Sequence, residues 1–362
     1  MTALLMTGFP GFLGSTLLPR LLARRPEDRA VCLVQPRHLA TARRRAGSLA
    51  DAHPALRGRI ELLPGDLTAP GPGLGGDSGV PDDVTEVWHL AAVYDLAVDR
   101  DTARRVNVDG TARVIDLCRS LPGLERLHHV STCYVSGRYA GTFGEADLAE
   151  GQSFRNHYEA TKHEAELLVR KAMADGLPAT IYRPGIVVGD SRTGETQKYD
   201  GPYFFASYLR RFPFVAPVPR LADPDRVRFS LVPRDFVVAA MDALAAQDRS
   251  LGQTYALTDP RPPTVRQLVD TFAGHLGKRV LWVPLPLAPT RYLVGTVPGA
   301  ERLMGLPAEA LEYATSPTTY STTSTDRDLA GTGVVCPAFE SYAGTLLDFM
   351  RAHPEIGSTA MA

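Results

Sequence analysis

Tyr158 and Lys162 stand four residues apart, Tyr-x-x-x-Lys, in a stretch patterned as a helix. That spacing puts both side chains on one helix face, a turn apart. A phenol with its reference pKa of ~10 is a poor base at neutral pH. A neighbouring ammonium favours the phenolate and is expected to lower that pKa. Upstream, the run Leu127-His-His-Val-Ser-Thr132 ends an expected strand on a hydroxyl. Thr132 can donate a hydrogen bond to a substrate oxygen. An oxyanion stabiliser beside a positioned proton donor is what a carbonyl needs as hydride arrives at carbon. Thr132, Tyr158 and Lys162 thus predict hydride transfer to or from a carbonyl, with Tyr158 handling the proton.

Hydride chemistry needs a carrier, and the N-terminus offers a place for one. The run Thr7-Gly8-Phe9-Pro10-Gly11-Phe12-Leu13-Gly14 follows an apolar strand and precedes a helix. Strand, Gly-x-x-Gly-x-x-Gly, helix is the context for pyrophosphate binding. Gly8 allows the tight turn, Gly11 lets the backbone approach the phosphates, and Gly14 lets the helix pack on the strand. The helix start, with Phe12 and Leu13, offers amide donors and a positive dipole end. Thr7 and Ser15 add hydroxyls. Lys162 can also reach the nicotinamide ribose.

The second strand ends in Gln35-Pro36-Arg37, followed by Arg43, Arg44 and Arg45. No carboxylate stands where an acid would accept the ribose 2′-hydroxyl of NAD. Arg37 suits a 2′-phosphate, which guanidinium groups pair with well. NADP(H) is therefore the expected cofactor. Asp66 and Leu67 follow the next strand, where Asp66 can meet the adenine amino group. Ala91 and Ala92, after His89, leave room for the adenosine ribose.

These residues need a scaffold. Short apolar runs at 3–6, 30–34, 60–63, 84–90, 127–131 and 179–182 alternate with helical patterns at 15–23, 106–118 and 158–174. That alternation predicts an α/β fold, a doubly wound parallel sheet with helices on both faces. Residues 231–236 read as a return to the main sheet, followed by a helix at 237–246. The expected division is a dinucleotide-binding domain over 1–189, with a return segment at about 229–258. A smaller, discontinuous C-terminal substrate lobe takes 190–228 and 259–353, and 354–362 form a tail. Tyr203, Phe204, Phe205, Tyr208, Phe212 and Phe214 are candidates for an acyl pocket, some of them necessarily core. Arg210, Arg211, Arg220, Arg226 and Arg228 are candidates for phosphate contacts.

The chain has 362 residues, 22% of them charged, and a formal net charge of −1, so no global field draws nucleic acid. Four scattered cysteines form no CxxC motif, which fits a reducing, cytoplasmic setting. The N-terminus reads as a strand and not as a signal peptide. The apolar stretch 280–297 is cut by prolines, so no integral membrane segment is expected. His128 and His129, adjacent on a strand, point to opposite faces, and no metal site is expected.

The motifs together resemble the extended short-chain dehydrogenase/reductases, over Thr7 to about Met350. The likeness rests on the glycine turn, Asp66, His89-Leu-Ala-Ala92, Asn107-Val-Asp-Gly-Thr111, Ser131-Thr132, Tyr158 with Lys162, and Tyr182-Arg-Pro-Gly185. By that resemblance the sheet is a Rossmann sheet, Pro184, Gly185 and Ile186 border the nicotinamide, and Asn107 bridges strands or joins a water relay. Within the group, Arg183-Pro-Gly-Ile-Val-Val-Gly-Asp-Ser-Arg-Thr-Gly194, Asp200-Gly-Pro-Tyr-Phe204 and Val93-Tyr-Asp-Leu96 resemble the fatty acyl-CoA and thioester reductases. This implies reduction of an acyl thioester, on coenzyme A or a carrier protein, to an aldehyde and in some relatives on to the alcohol. Where that group carries an arginine after the second strand, this chain has Gln35, so Arg37 takes the phosphate role. The chain reads as a lone reductase domain, whereas many relatives are fused to carrier domains.

Alternatives share the reacting centre. An aldehyde or ketone reductase of hydroxysteroid type differs only in its lobe. A nucleotide-sugar epimerase would keep NAD, against which Gln35 argues. A dehydratase would carry acids after the threonine, where Cys133-Tyr134 stand. A Cys133 nucleophile would need an activated thiolate, and a packed thiol is the expected role. Oligomeric state is open.

Overall fold

The computed structural model describes residues 2–69, 79–94, 98–285, 313 and 315–357. In chain order the first half runs β1 (Ala3–Thr7), α1 (Gly14–Arg24), β2 (Arg29–Val34), α2 (Leu39–Ala52), β3 (Ile60–Pro64) and β4 (Val84–His89). It continues α3 (Arg100–Ala103), a π-helical segment Arg104–Asp109, α4 (Gly110–Ser120), β5 (Arg126–Val130), β6 (Gly141–Phe143), α5 (His157–Ala174), β7 (Ala179–Pro184) and β8 (Ile186–Val188). The second half holds α6 (Tyr203–Arg210), β9 (Val215–Arg220), β10 (Leu231–Pro233), α7 (Arg234–Ala245), β11 (Thr254–Leu257), α8 (Val265–His275), β12 (Arg279–Pro284) and β13 (Thr318–Tyr320). Helices Thr323–Leu329 and Phe339–Ala352 follow.

Seven parallel strands form the main sheet in the order β11-β7-β5-β4-β1-β2-β3. The order reverses between β1 and β4, so the crevice of a doubly wound sheet opens there, at their carboxyl ends. Every residue of β1 and of β7 is buried, as helices on both faces require. Leu4 and Met6 pack with Leu17, Leu21, Val237 and Met241 beneath α1 and α7. Ala3 and Leu5 face the other way, onto Val114, Leu117 and Val169 of α4 and α5.

The 231–236 expectation is corrected. β10 pairs with β8 in a separate two-stranded sheet, and β11 is the strand that closes the main sheet. The reason lies at Gly185. Its amide makes a last bond to Leu257, after which Ile186 donates to Ser230 instead. The run therefore bends off the sheet at the end of β7. The helix after β10 starts at Arg234, three residues earlier than the sequence pattern indicates. The expected helix at 106–118 is a π segment leading into α4.

Tyr203, Phe205, Leu209, Leu268, Phe272, Phe339 and Leu346 form a second core, that of the lobe. Tyr203, Phe205 and Tyr208 are thus core side chains, and Phe214 is 76% exposed. The 280–297 stretch begins as β12, paired with β9; its remainder from 286 lies outside the described residues, as do Asp95, Leu96 and the last five residues of the tail. Among the described residues no helix is long and apolar enough to cross a membrane.

Candidate active site

The glycine turn wraps around one carbonyl. Gly8 has φ +89°, and a Cβ there would lie 2.8 Å from the Leu90 carbonyl carbon. Cβ atoms at Gly11 and Gly14 would meet the Gly8 oxygen at 2.7 and 2.8 Å. That backbone-lined cradle admits a ligand only while it has no side chains, and it fits a pyrophosphate. The amides of Phe12, Leu13 and Gly14 have no backbone acceptor among the described residues, leaving donors at the start of α1. Ser15 gives its hydroxyl to the Pro10 carbonyl at 2.8 Å and braces the turn instead of facing a ligand.

Thr7 and His89 end the two strands at the switch point. Thr7 Oγ1 accepts from the Ala91 amide and lies 2.8 Å from His89 Nδ1. His89 Nε2 lies 3.0 Å from Thr111 Oγ1, which itself donates to the Asn107 carbonyl at 2.6 Å. These partners assign the proton to Nε2, with Nδ1 accepting from Thr7. Burial, with a smaller push from the Lys162 charge, lowers the His89 pKa to about 3, so the ring is neutral. Asn107 uses its side chain fully: it pairs with both backbone groups of Val93 and donates to Thr161 Oγ1 on α5. It bridges the β4 exit to the helix bearing Tyr158.

At the adenosine end, Arg37 Nε donates to Gln35 Oε1, and Gln35 Nε2 donates to Asp66 Oδ1, each at 3.0 Å. Thr68 adds two bonds to the same oxygen. Burial works against the Asp66 carboxylate, but the Thr68 and Gln35 bonds hold its pKa below the usual range. Arg37 is exposed, Leu67 is buried, and Ala91 and Ala92 are half-buried. Arg43 and Arg44 are exposed on α2.

Thr132, Tyr158 and Lys162 meet at the carboxyl end of β5. Thr132 is 4% exposed, and its Oγ1 lies 3.5 Å from the Pro184 carbonyl and caps the Tyr134 amide. Burial raises the Tyr158 pKa to about 12, and the neighbouring Thr132 hydroxyl offsets part of that rise. This corrects the expectation of a lowered phenol pKa. The Lys162 ammonium donates to the Val130 carbonyl at 2.8 Å rather than to Tyr158, so desolvation decides the sign. Lys162 itself is lowered to about 8 by burial, with Glu166 opposing the fall. Pro184, Gly185 and Ile186 form the neighbouring wall where β7 bends away. Cys133 is a packed thiol: it donates to the Arg183 carbonyl, and burial pushes its pKa up.

Glu166, one turn beyond Lys162, was not picked out by the sequence reading. It is fully buried, accepts from Ser131 at 2.6 Å, and pairs with Arg183 at 2.7 Å and Arg170 at 3.1 Å. It locks α5 to the ends of β5 and β7. The i, i+4 spacing from Lys162 was the available signal. Beside the centre lies a cavity of about 400 Å³, lined by Arg228, Ser230, Thr258, Arg261 and Tyr320 among others. It adjoins the centre through the Ser230–Ile186 bond and through Tyr320, whose hydroxyl meets Ser136. His128 stacks on Trp88, while His129 faces His89 across the strand pair. No metal-binding cluster occurs among the described residues.

Residues 6–241 match the NAD-binding family described as Male sterility protein. The chain belongs to that family. It is an oxidoreductase of the extended short-chain dehydrogenase/reductase type, within the thioester-reductase group. A solved structure titled as the terminal R domain from the myxalamid PKS-NRPS biosynthetic pathway superposes with a TM-score of 0.78 and 27% identity, covering 98% of this chain and 91% of that one. A non-canonical nonribosomal peptide synthetase of Aspergillus campestris is 27% identical over 69% of this chain and 25% of its own length. A fatty acyl-CoA reductase of Drosophila melanogaster is 27% identical over 55% of this chain and 45% of its own. The chain thus spans about a quarter of the peptide synthetase and under half of the fatty acyl-CoA reductase.

Proposed function

We propose that the chain reduces an acyl thioester, carried on coenzyme A or a carrier protein, to an aldehyde, using NADPH. Further reduction of the aldehyde to the alcohol is open to the same residues. The reading rests on one juxtaposition: the Thr132 hydroxyl against the Tyr158 phenol, with the buried Lys162 on the same helix face, beside the glycine turn. The likeness to a terminal R domain and to a fatty acyl-CoA reductase supports thioesters as the substrate class.

When bound, the reduced nicotinamide supplies the hydride. Thr132 and Tyr158 donate hydrogen bonds to the thioester oxygen as it becomes anionic. Tyr158, protonated at neutral pH, gives its proton to that oxygen, and a hemithioacetal results. As the hemithioacetal returns its hydroxyl proton to the Tyr158 oxygen, its C–S bond breaks, the sulfur leaves as a thiolate that takes a proton from solvent, and the aldehyde remains. Lys162, as an ammonium, balances the charge on the Tyr158 oxygen until it is reprotonated. Gly8, Gly11 and Gly14, with the amides of Phe12 and Leu13, would hold the pyrophosphate, and Asp66 and Leu67 would border the adenine. Arg37, tied through Gln35 to Asp66, would take the 2′-phosphate and so favour NADPH over NADH. The free buried thiols of Cys32, Cys118 and Cys133 support a reducing, cytoplasmic compartment.

The deciding assay follows NADPH oxidation with acyl-CoA, carrier-bound acyl thioester, free aldehyde and ketone. Consumption with a thioester is expected. Consumption with ketone or aldehyde alone would leave a carbonyl reductase in its place.

A further inference from the structure

Arg234 is the first residue of α7, and the mechanism above gives it no role. It is 5% exposed. Helices α1 and α7 lie side by side on one face of the sheet, joined by Arg24–Asp242 at 3.2 Å and by a shared core. Both begin at the carboxyl edge: α1 after the glycine turn, α7 after β10. Arg234 therefore stands at one helix start beside the turn that opens the other.

Its contacts are specific. The guanidinium lies over the ring of Phe12, in the middle of the turn, at 4.9 Å. One terminal nitrogen pairs with Glu195 at 3.1 Å and lies 3.8 Å from Asp190. Its backbone amide donates to the Gly189 carbonyl at 3.3 Å. Asp235 next to it takes both the amide and the hydroxyl of Ser191. The 189–195 loop is thus anchored to the first turn of α7, and Arg234 links that loop to the glycine turn. Its Nε, buried, has no hydrogen-bond partner among the described residues. A buried charged donor without an acceptor is costly, and such donors are otherwise paired. The facing turn presents the amides of Phe12, Leu13 and Gly14, unpaired among the described residues, and an anion is the partner that both sides can share.

We propose that Arg234 is a binding residue for the dinucleotide's pyrophosphate, acting across Phe12 from the amides of the glycine turn. The guanidinium supplies a side-chain cation to that cradle, and Glu195 and Asp190 hold its plane against the ring. The pyrophosphate is common to NADH and NADPH, which separates this role from that of Arg37.

The test measures dissociation constants for NADPH and NADH by reduced-nicotinamide fluorescence, on the full chain with no acyl substrate present. It therefore stands or falls independently of the thioester reading. Arg234→Met should weaken both cofactors by a similar factor, about tenfold, the loss of one charge-assisted contact. Arg234→Lys keeps the charge but not the planar stack on Phe12, and should weaken both by less. Circular dichroism and a melting curve establish that each variant is folded. Should the methionine variant fail to fold, the lysine variant decides, with a matched loss for both cofactors as the expected result. A folded variant with unchanged constants overturns the proposal, as does a loss confined to NADPH or one seen only in the KM for thioester.

Discussion

The Lys162 ammonium donates to the carbonyl of Val130 at 2.8 Å, at the end of the strand that leads into Thr132. One bond thus ties the helix that carries Tyr158 and Lys162 to the strand that leads to the Thr132 hydroxyl. It also buries a cation, and burial lowers the Lys162 pKa to about 8.

This yields a pH dependence. Lys162 loses its proton as pH rises through about 8, and with it the charge that balances Tyr158. Tyr158, near 12, stays protonated across that range. The kcat/KM for NADPH, which reports the free enzyme, should be flat below pH 8 and fall above it. A profile flat to pH 10 would remove Lys162 as the titrating group.

Tyr158→Phe removes the proposed proton donor and leaves the helix intact. Turnover should drop by about 10²–10⁴, the range for a general acid, with the NADPH dissociation constant unchanged. Steady-state rates alongside a fluorescence titration check both halves. An active phenylalanine variant would end the mechanism.

Arg37 is exposed, and among the described residues its only hydrogen bond is to Gln35. Arg37→Ala should weaken NADPH by about tenfold, as for one charge-assisted contact, and leave NADH nearly unchanged. Equal losses for both cofactors in calorimetry would take Arg37 away from the 2′-phosphate.

Glu166 neutralises Arg183, which is 1% exposed, and Arg170 beside it. Glu166→Ala leaves the Arg183 charge buried and unpaired, which should cost about 3–5 kcal/mol. Urea unfolding of the two proteins measures it. Since Glu166 also holds Ser131 next to Thr132, surviving protein should lose kcat more than cofactor affinity.

Much of the fold was legible in the chain. The alternation of short apolar runs with amphipathic helices specifies a buried parallel sheet, because strands covered on both faces must be apolar throughout. The edge of that sheet was less legible. Residues 231–236 and 254–257 are both short apolar runs, and local pattern does not distinguish a strand that joins the sheet from one that leaves it. The bend at Gly185 makes that choice, and it is a long-range contact with Ser230.

The same division holds for the site. Sequence by itself carried the proposed reaction type, since Tyr-x-x-x-Lys on a helix, a hydroxyl at a strand end and a glycine turn are local patterns whose geometry follows from helix and strand periodicity. It determined the cradle as well, because only glycine fits φ +89° against the Leu90 backbone. Tertiary structure alone decided the electrostatics. Whether Lys162 meets Tyr158 or Val130, and whether the phenol pKa falls or rises, depends on burial and on partners distant in sequence, such as Pro184, 52 residues from Thr132. The partnership of Glu166 with Ser131 and Arg183, and of Arg234 with Phe12, likewise exists only after the helices pack, since burial makes a charge need a partner and the fold selects which one it finds.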